Sequence, residues 1–288
     1  MLILSMSIFG SVGIFKKFIY MPSGLISFAR AFIGVIFILL YMLIAGHKIS
    51  FSSIRKNAPQ LIISGIMLGF NWILLFEAID KTGVPVATIC YYFAPVFVMI
   101  VSPFLLKEKL GVKKTLCIIL ALFGMILVAN VFDGDAKINT AGIFLGIGAA
   151  VLYASIVLAN KTVKEISAFD RTAVQLGVSA AIMLIYTLCT TDFSTVSFTT
   201  KNVILLIVIG CIHTGLAYTL YFASMEHLSA QTISLFSYFD PVLACILASI
   251  IFPSDRMNAL QILGSVIVLG ATLACEISIK KKGNNYNA

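Results

Sequence analysis

The sequence is short of charge. Only 11% of its 288 residues are Asp, Glu, Lys or Arg, less than half of the roughly 25% usual in a soluble domain. A chain this poor in charge cannot cover a water-facing surface, and a disordered chain needs the opposite composition. Histidine is scarce as well: His47, His213 and His227 are the only three, and they lie on separate stretches. No H-E-x-x-H or G-x-S-x-G occurs, so the clustered ligands or nucleophile-base pair of an intramembrane enzyme are missing. The six cysteines, Cys90, Cys117, Cys189, Cys211, Cys245 and Cys275, sit inside apolar runs with no C-x-x-C pair. Neither a disulfide framework nor a metal site is expected from them, and no cofactor motif stands out. The first residues, MLILSMSIFGSVGIF, lack the basic region and small-residue site of a cleavable signal peptide and open directly on a hydrophobic span.

What the chain has in abundance is apolar sequence: 60% hydrophobic residues and a mean hydropathy of +1.05. A membrane helix takes about 20 mostly apolar residues. Ten such stretches can be read, at about 3–20, 24–45, 60–80, 86–106, 112–131, 140–161, 170–189, 202–225, 229–252 and 258–279. They leave only short loops, the longest at about 46–59. Runs such as VIFILLYMLIAG exclude the alternating strands of a membrane barrel. The net charge of +8 then belongs to lysines on cytoplasmic loops rather than to a nucleic-acid surface. With the N-terminus inside, the inner loops and tail hold thirteen basic residues and the outer side six, Lys16, Lys17, Lys81, Lys137, Lys201 and Arg256. Both termini are therefore expected in the cytoplasm.

The two halves repeat. At an offset of 145, Lys16 matches Lys161, Tyr41 matches Tyr186, Gly65 matches Gly210 and Phe76 matches Tyr221. One residue later, at 146, Pro95 matches Pro241 and Gly124 matches Gly270. The segments YYFAPVF and FSYFDPVL align through Tyr92/Tyr238, Phe93/Phe239 and Pro95/Pro241. Five helices per repeat is an odd number, so the second repeat enters the membrane inverted. The expected fold is an all-α membrane protein of ten transmembrane helices, with residues 1–135 as the first five-helix repeat and 136–288 as the second. Inverted repeats around a midplane site are characteristic of secondary transporters.

At these residues the chain resembles the EamA-type transporters of the drug/metabolite transporter superfamily. The resemblance covers nearly the whole sequence, including PVFVMIVSPFLLKEKLGVKKTLCIILALFGMILV, where Pro95, Glu108 and Gly124 look like that family's repeat pattern. The second half departs from it with Ser254-Asp255 where the family often has another Glu. The resemblance implies export of a small metabolite, often an amino acid or related compound, coupled to an ion gradient across a bacterial inner membrane.

Charged and polar residues inside the spans carry the site argument, because a charge costs about 2.5–3.5 kcal/mol at mid-bilayer on insertion scales and so needs a reason to be there. Asp240 lies at mid-depth and precedes Pro241, which removes a backbone donor and loosens the turn. It reads as a protonatable coupling group or as a carboxyl paired structurally. His213 reads as a proton or substrate contact, or as a neutral ring bonded to a neighbouring helix. Arg30 and Glu77 lie inside the same boundary of adjacent spans; they can pair, or Arg30 can hold a substrate carboxylate in its planar fork while Glu77 titrates. Gln175 is the repeat counterpart of Arg30 and joins it as a cavity candidate. Asn71 and Trp72, the only tryptophan, sit midway along the third span. Tyr92 and Tyr238, with Tyr91, Tyr218 and Tyr221, offer aromatic walls with hydroxyl tips, suited to an organic solute. Gly65-x-x-x-Gly69 and Gly142-x-x-x-Gly146 read as helix contact faces, and Glu108 among Lys107, Lys109, Lys113 and Lys114 as a local ion pair.

The function these residues favour is secondary active export of a small organic metabolite by alternating access, with proton coupling resting on Asp240. The partners are that solute and the bilayer, with no nucleic acid, and the chain acts as a monomer or weak homo-oligomer. A flippase for a lipid-linked headgroup is the alternative, distinguished by a polar groove open to lipid.

Overall fold

A computed structural model describes residues 1–130, 139–252 and 256–284, and every regular element among them is helical. In order these are α1 (Leu2–Lys17), α2 (Ser23–Ile44), α3 (Phe51–Lys56), α4 (Ala58–Tyr91), α5 (Ala94–Leu106), α6 (Val112–Val128), α7 (Thr140–Thr162) and α8 (Ala168–Thr190). A short 3₁₀ turn (Phe193–Thr195) precedes α9 (Thr200–Val208), which runs through a π-helical segment (Ile209–Leu216) into α10 (Ala217–Ser224). The chain then forms α11 (Ala230–Phe236), α12 (Phe239–Ile251) and α13 (Ala259–Asn284). Lys137, Ser254, Asp255 and the 135/136 repeat boundary lie outside the described residues, as do the side chains of Lys280, Lys281 and Lys282.

Helices form because long apolar runs can satisfy their backbone only internally. Polar residues mark their starts: Asn139, Ser167, Thr199 and Ser229 accept backbone N–H bonds at the beginnings of α7, α8, α9 and α11. Seven stretches are long and apolar enough to cross a membrane: Ser23–Ile44, Ala58–Val84, Val86–Leu106, Thr140–Thr162, Ala168–Thr190, Thr200–Ser224 and Ala230–Ile251. The remaining candidates are shorter, with 16 residues in α1, 17 in α6 and an apolar Ala259–Cys275 within α13.

The expected break between 80 and 86 is present at Gly83, whose φ of 78° and ψ of 165° are non-helical and separate the spans Ala58–Val84 and Val86–Leu106. The structure departs from the simple reading of the runs in three places. The expected 86–106 span is itself interrupted, at Tyr92-Phe93, between α4 and α5. The stretch 229–252 is likewise two helices, split at Ser237-Tyr238. Pro95 and Pro241 each stand just inside the helix after the break, where a missing N–H costs nothing. The 46–59 loop contains α3, capped by Ser50.

In the packing, α4 lies against α7 and α8, and α2 against α8 and the π segment. α1 lies against α12 and α10, α5 against α7, and α6 against α13. Both Gly-x-x-x-Gly motifs are contact faces: Gly65 and Gly69 meet Val178 and Ile182, and Gly142 and Gly146 meet Thr82 and Cys90. The repeat match of Gly124 with Gly270 does not carry over into contact. Gly264 is the residue that meets Gly124, and a Cβ at Gly270 would touch nothing within 4 Å. Phe104, Phe144, Ile185 and Val266 point outward, an apolar exterior suited to hydrocarbon.

A Cβ on Gly264 would lie 2.5 Å from the Gly124 carbonyl oxygen and 2.7 Å from Leu127 Cβ. Backbone cannot swing aside as a side chain can, so Gly264→Leu should separate α6 from α13 at a cost of about 3 kcal/mol. Thermal unfolding followed by size exclusion in detergent should record a clear fall in Tm. Gly270→Leu, pointing into open space, should melt like the wild type; equal falls for both would refute the packing.

Candidate functional site

A cavity of about 400 Å³ opens between α1, α2, α4, α7, α10 and α12. Its walls bring together Arg30, Trp72, Tyr92 and Asp240 from among the residues singled out in the sequence. Tyr91, Tyr218 and Tyr221 complete the aromatic wall as expected, and Tyr153 joins them unanticipated. Tyr153 stands near the middle of α7, and that mid-span position is the signal that could have found it. Its hydroxyl is 2.8 Å from that of Tyr221.

Asp240 owes its place to the break between α11 and α12. It lies in the first turn of α12, and its Oδ1 accepts a hydrogen bond from the Tyr92 hydroxyl. Tyr238 returns the link, its hydroxyl donating to the Tyr92 carbonyl at 2.8 Å. The rings of the two tyrosines, equivalent in the repeat, lie 5.7 Å apart. The two broken helices thus meet at their breaks, and the one carboxyl there faces the cavity. Tyr238 itself is wholly buried and contributes to this seam rather than to the cavity wall.

Arg30 occupies another wall. Its Nε donates to Thr214 Oγ1 at 2.9 Å, and its guanidinium carbon lies 4.8 Å from the centre of the Trp72 ring. The ring's negative face offsets part of the cost of the buried cation. Among the described residues no carboxylate pairs with it. Glu77, the expected partner, instead accepts from the Tyr186 hydroxyl at 2.8 Å and does not line the cavity.

The other polar candidates serve the helices around the cavity. Asn71 donates to the Ala149 carbonyl at 2.7 Å and accepts from Tyr91 at 3.5 Å, standing one layer behind the wall. Gln175 exchanges two hydrogen bonds with Asn160, at 2.6 and 3.2 Å, and Asn160 reaches Ser64 at 3.1 Å. That buried amide clamp holds α4, α7 and α8 together, so the repeat counterpart of Arg30 lies outside the cavity. His213 is buried, 3.0 Å from Ser11 Oγ and against the ring of Phe15. Asp240, His213 and Asn71 are all turned inward, but they do not surround one space.

Beyond the tyrosines lies the end that carries residues 102–114, 161–165 and 225–231, none of which lines the cavity. Among the described residues the partners of the Glu108 carboxylate are backbone groups: it accepts from the N–H of Ala230, at 2.7 Å, and of Gln231, at 3.4 Å, at the start of α11. Gln231 donates to Ser102 at 2.9 Å and Lys114 to Ser229 at 2.8 Å. Lys161 donates to the carbonyls of Met225, at 2.6 Å, and Leu228, at 2.8 Å. Beside it, Lys56 pairs with Glu165 and holds that carboxyl below its ordinary range.

This geometry, an aromatic cavity between broken helices, fits what comparison with known proteins finds. The EamA-like transporter family matches residues 1–130 and 140–275. The chain belongs to the EamA-like transporter family. An uncharacterized transporter of Bacillus subtilis (strain 168), YxxF, is 30% identical, with 98% of this chain and 90% of the relative aligned. The pseudopaline exporter CntI of Pseudomonas aeruginosa (strain UCBPP-PA14) is 26% identical over 91% of this chain and 88% of its own. A solved crystal structure superposes with a TM-score of 0.84 over 96% of each chain at 15% identity, which shows a common fold. This EamA-like protein is therefore a multi-pass membrane transporter, and its partners are a small-molecule substrate and the bilayer.

Proposed function

We propose that the protein is a secondary active exporter of a small organic metabolite, an amino acid or related compound, working by alternating access across the inner membrane. The observation that carries this reading is the cavity itself. It has an Arg30 fork, with no carboxylate partner among the described residues, on one wall and the Asp240 carboxyl on another, with Trp72 and five tyrosines between them. The guanidinium suits a substrate carboxylate, the rings an organic body, and Asp240 a proton exchanged against it.

The architecture proposed is ten crossings in two inverted repeats with both termini cytoplasmic. The packing supports it: α2 with α8 and α6 with α13 are pairs of repeat equivalents, and α1 on α12 is mirrored by α7 on α5. In that orientation the Glu108–Lys161 end is cytoplasmic and the cavity belongs to an outward-facing state. The similarity to CntI, a pseudopaline exporter, supports the direction.

The test is purified protein in liposomes, screened with labelled amino acids and related metabolites with and without a pH gradient. Concentrative, gradient-dependent movement of a carboxylated solute, lost in Arg30→Gln, is the expected result. Failure of every such solute, with movement of a lipid-linked headgroup instead, would replace the reading by a flippase.

A further inference from the structure

We infer that Thr214, presented by the π-helical segment, is a positioning residue that fixes the plane of the Arg30 guanidinium and so governs recognition of the substrate's anionic group. The inference rests on the proposed role of Arg30 and assigns a function to the one long irregularity in the helices around the cavity.

Eight consecutive residues, Ile209–Leu216, form the π segment between α9 and α10. π turns are rare in helices and concentrate at functional sites. In such a turn residue i+5 lies close over residue i, whereas five residues at α-helical pitch would leave it about 140° round the axis. The Thr214 hydroxyl uses this stacking: it donates to the Ile209 carbonyl at 3.1 Å. A hydroxyl has a single proton. With that proton committed to Ile209, Oγ1 can only accept on its other side, and there Arg30 Nε donates to it at 2.9 Å. The polarity of the chain Arg30 to Thr214 to Ile209 is therefore fixed.

Two restraints then act on one guanidinium. Thr214 holds it in its plane through Nε, and Trp72 holds its face at 4.8 Å. The terminal NH₂ groups remain as the part that can meet a carboxylate. Helix α2 is brought close enough by Gly34, which faces the Gly210 carbonyl, the Gly215 N–H and the Thr214 methyl. Thr214 is wholly buried, so its hydroxyl has no exchange with water to loosen the geometry. The neighbouring His213 reaches Ser11 on α1, so the same turn braces the two helices that flank this wall.

Trp72, the sole tryptophan, provides a reporter beside Arg30 that needs no known substrate. Its fluorescence is quenched with iodide, an anion drawn to the guanidinium, and with neutral acrylamide, in the full-length protein in detergent. Thr214→Val should lower the ratio of iodide to acrylamide quenching by about threefold, less than the full loss of a hydrogen bond to a charged group because Trp72 still holds the guanidinium face. Thr214→Ser, which keeps the hydroxyl, should hold the wild-type ratio, and Arg30→Gln should give the lowest value. A wild-type ratio in Thr214→Val, with a fall in Arg30→Gln, overturns the positioning role while leaving the Arg30 reading intact. A wild-type ratio in Arg30→Gln overturns the Arg30 reading itself. Equal loss in the Val and Ser variants, with acrylamide quenching raised in both, overturns the inference in favour of a role in packing alone.

Discussion

Asp240→Asn is expected to leave the protein folded and to abolish accumulation driven by a pH gradient. The amide is nearly isosteric with the carboxyl, and its oxygen can still accept from the Tyr92 hydroxyl, so the seam between the two helix breaks survives. What is lost is the group that can take up and release a proton inside the cavity. If each cycle exchanges one proton, a driving force equivalent to 100 mV supplies about 2.3 kcal/mol, or roughly a 50-fold concentration ratio. The variant should lose that ratio yet still exchange labelled for unlabelled solute down its own gradient, because Arg30 and the aromatic walls remain. Tyr92→Phe separates the two effects. It removes the hydrogen bond but keeps the carboxyl, so coupling should persist with a shifted pH dependence. Wild-type, pH-driven accumulation in Asp240→Asn would exclude this residue as the coupling group.

The sequence already carried the parts of this arrangement that depend on local chemistry. Pro241 pointed to a loosened turn beside Asp240, and Tyr92 and Tyr238 to equivalent places in two halves; the structure brings those two tyrosines into contact. The scarcity of charge made Arg30 and Asp240 conspicuous, and both line the cavity. Asn71, Gln175 and His213 were conspicuous for the same reason, yet each is spent on a neighbouring helix. A polar side chain in a membrane helix can meet a cavity or bind another helix, and hydropathy is blind to the difference. Glu77 was readable as a partner for Arg30 only by depth, and azimuth around the helix gave it to Tyr186 instead. The π segment was not legible, since GCIHTGL has no residue that forces an extra carbonyl per turn. Glu108 misled for a different reason. Its lysine neighbours in the chain suggested local pairing, whereas its partners are backbone groups more than 120 residues away.

Those distant partners give the second large effect. Opening the cavity towards the Glu108 end requires α11 and the 225–228 turn to part from α5, α6 and α7. Lys161 opposes that movement through two charge-assisted bonds, and Glu108 does so by capping α11. A single hydrogen bond to a charged group contributes about 1.5–3 kcal/mol. Lys161→Met keeps the apolar stem and removes the ammonium. A shift of only about 2 kcal/mol would raise the population open at that end roughly 30-fold. Adding Glu108→Ala should raise it further. The effect can be read with a cysteine placed at cavity-lining Ser237 in a cysteine-free background, labelled by a charged thiol reagent applied from one side of oriented vesicles. The parent protein should label from the side of the 18–22 turn, and the Lys161→Met, Glu108→Ala protein from the opposite side as well. Because Glu108 ties the first half to the second and Lys161 braces α7 against the 225–228 turn within the second half, breaking both should also slow the return step, so solute exchange should fall while two-sided labelling rises. Labelling that stays one-sided in the double variant would mean that these bonds only fasten loops, and that the barrier lies higher, at the hydroxyl pair of Tyr153 and Tyr221.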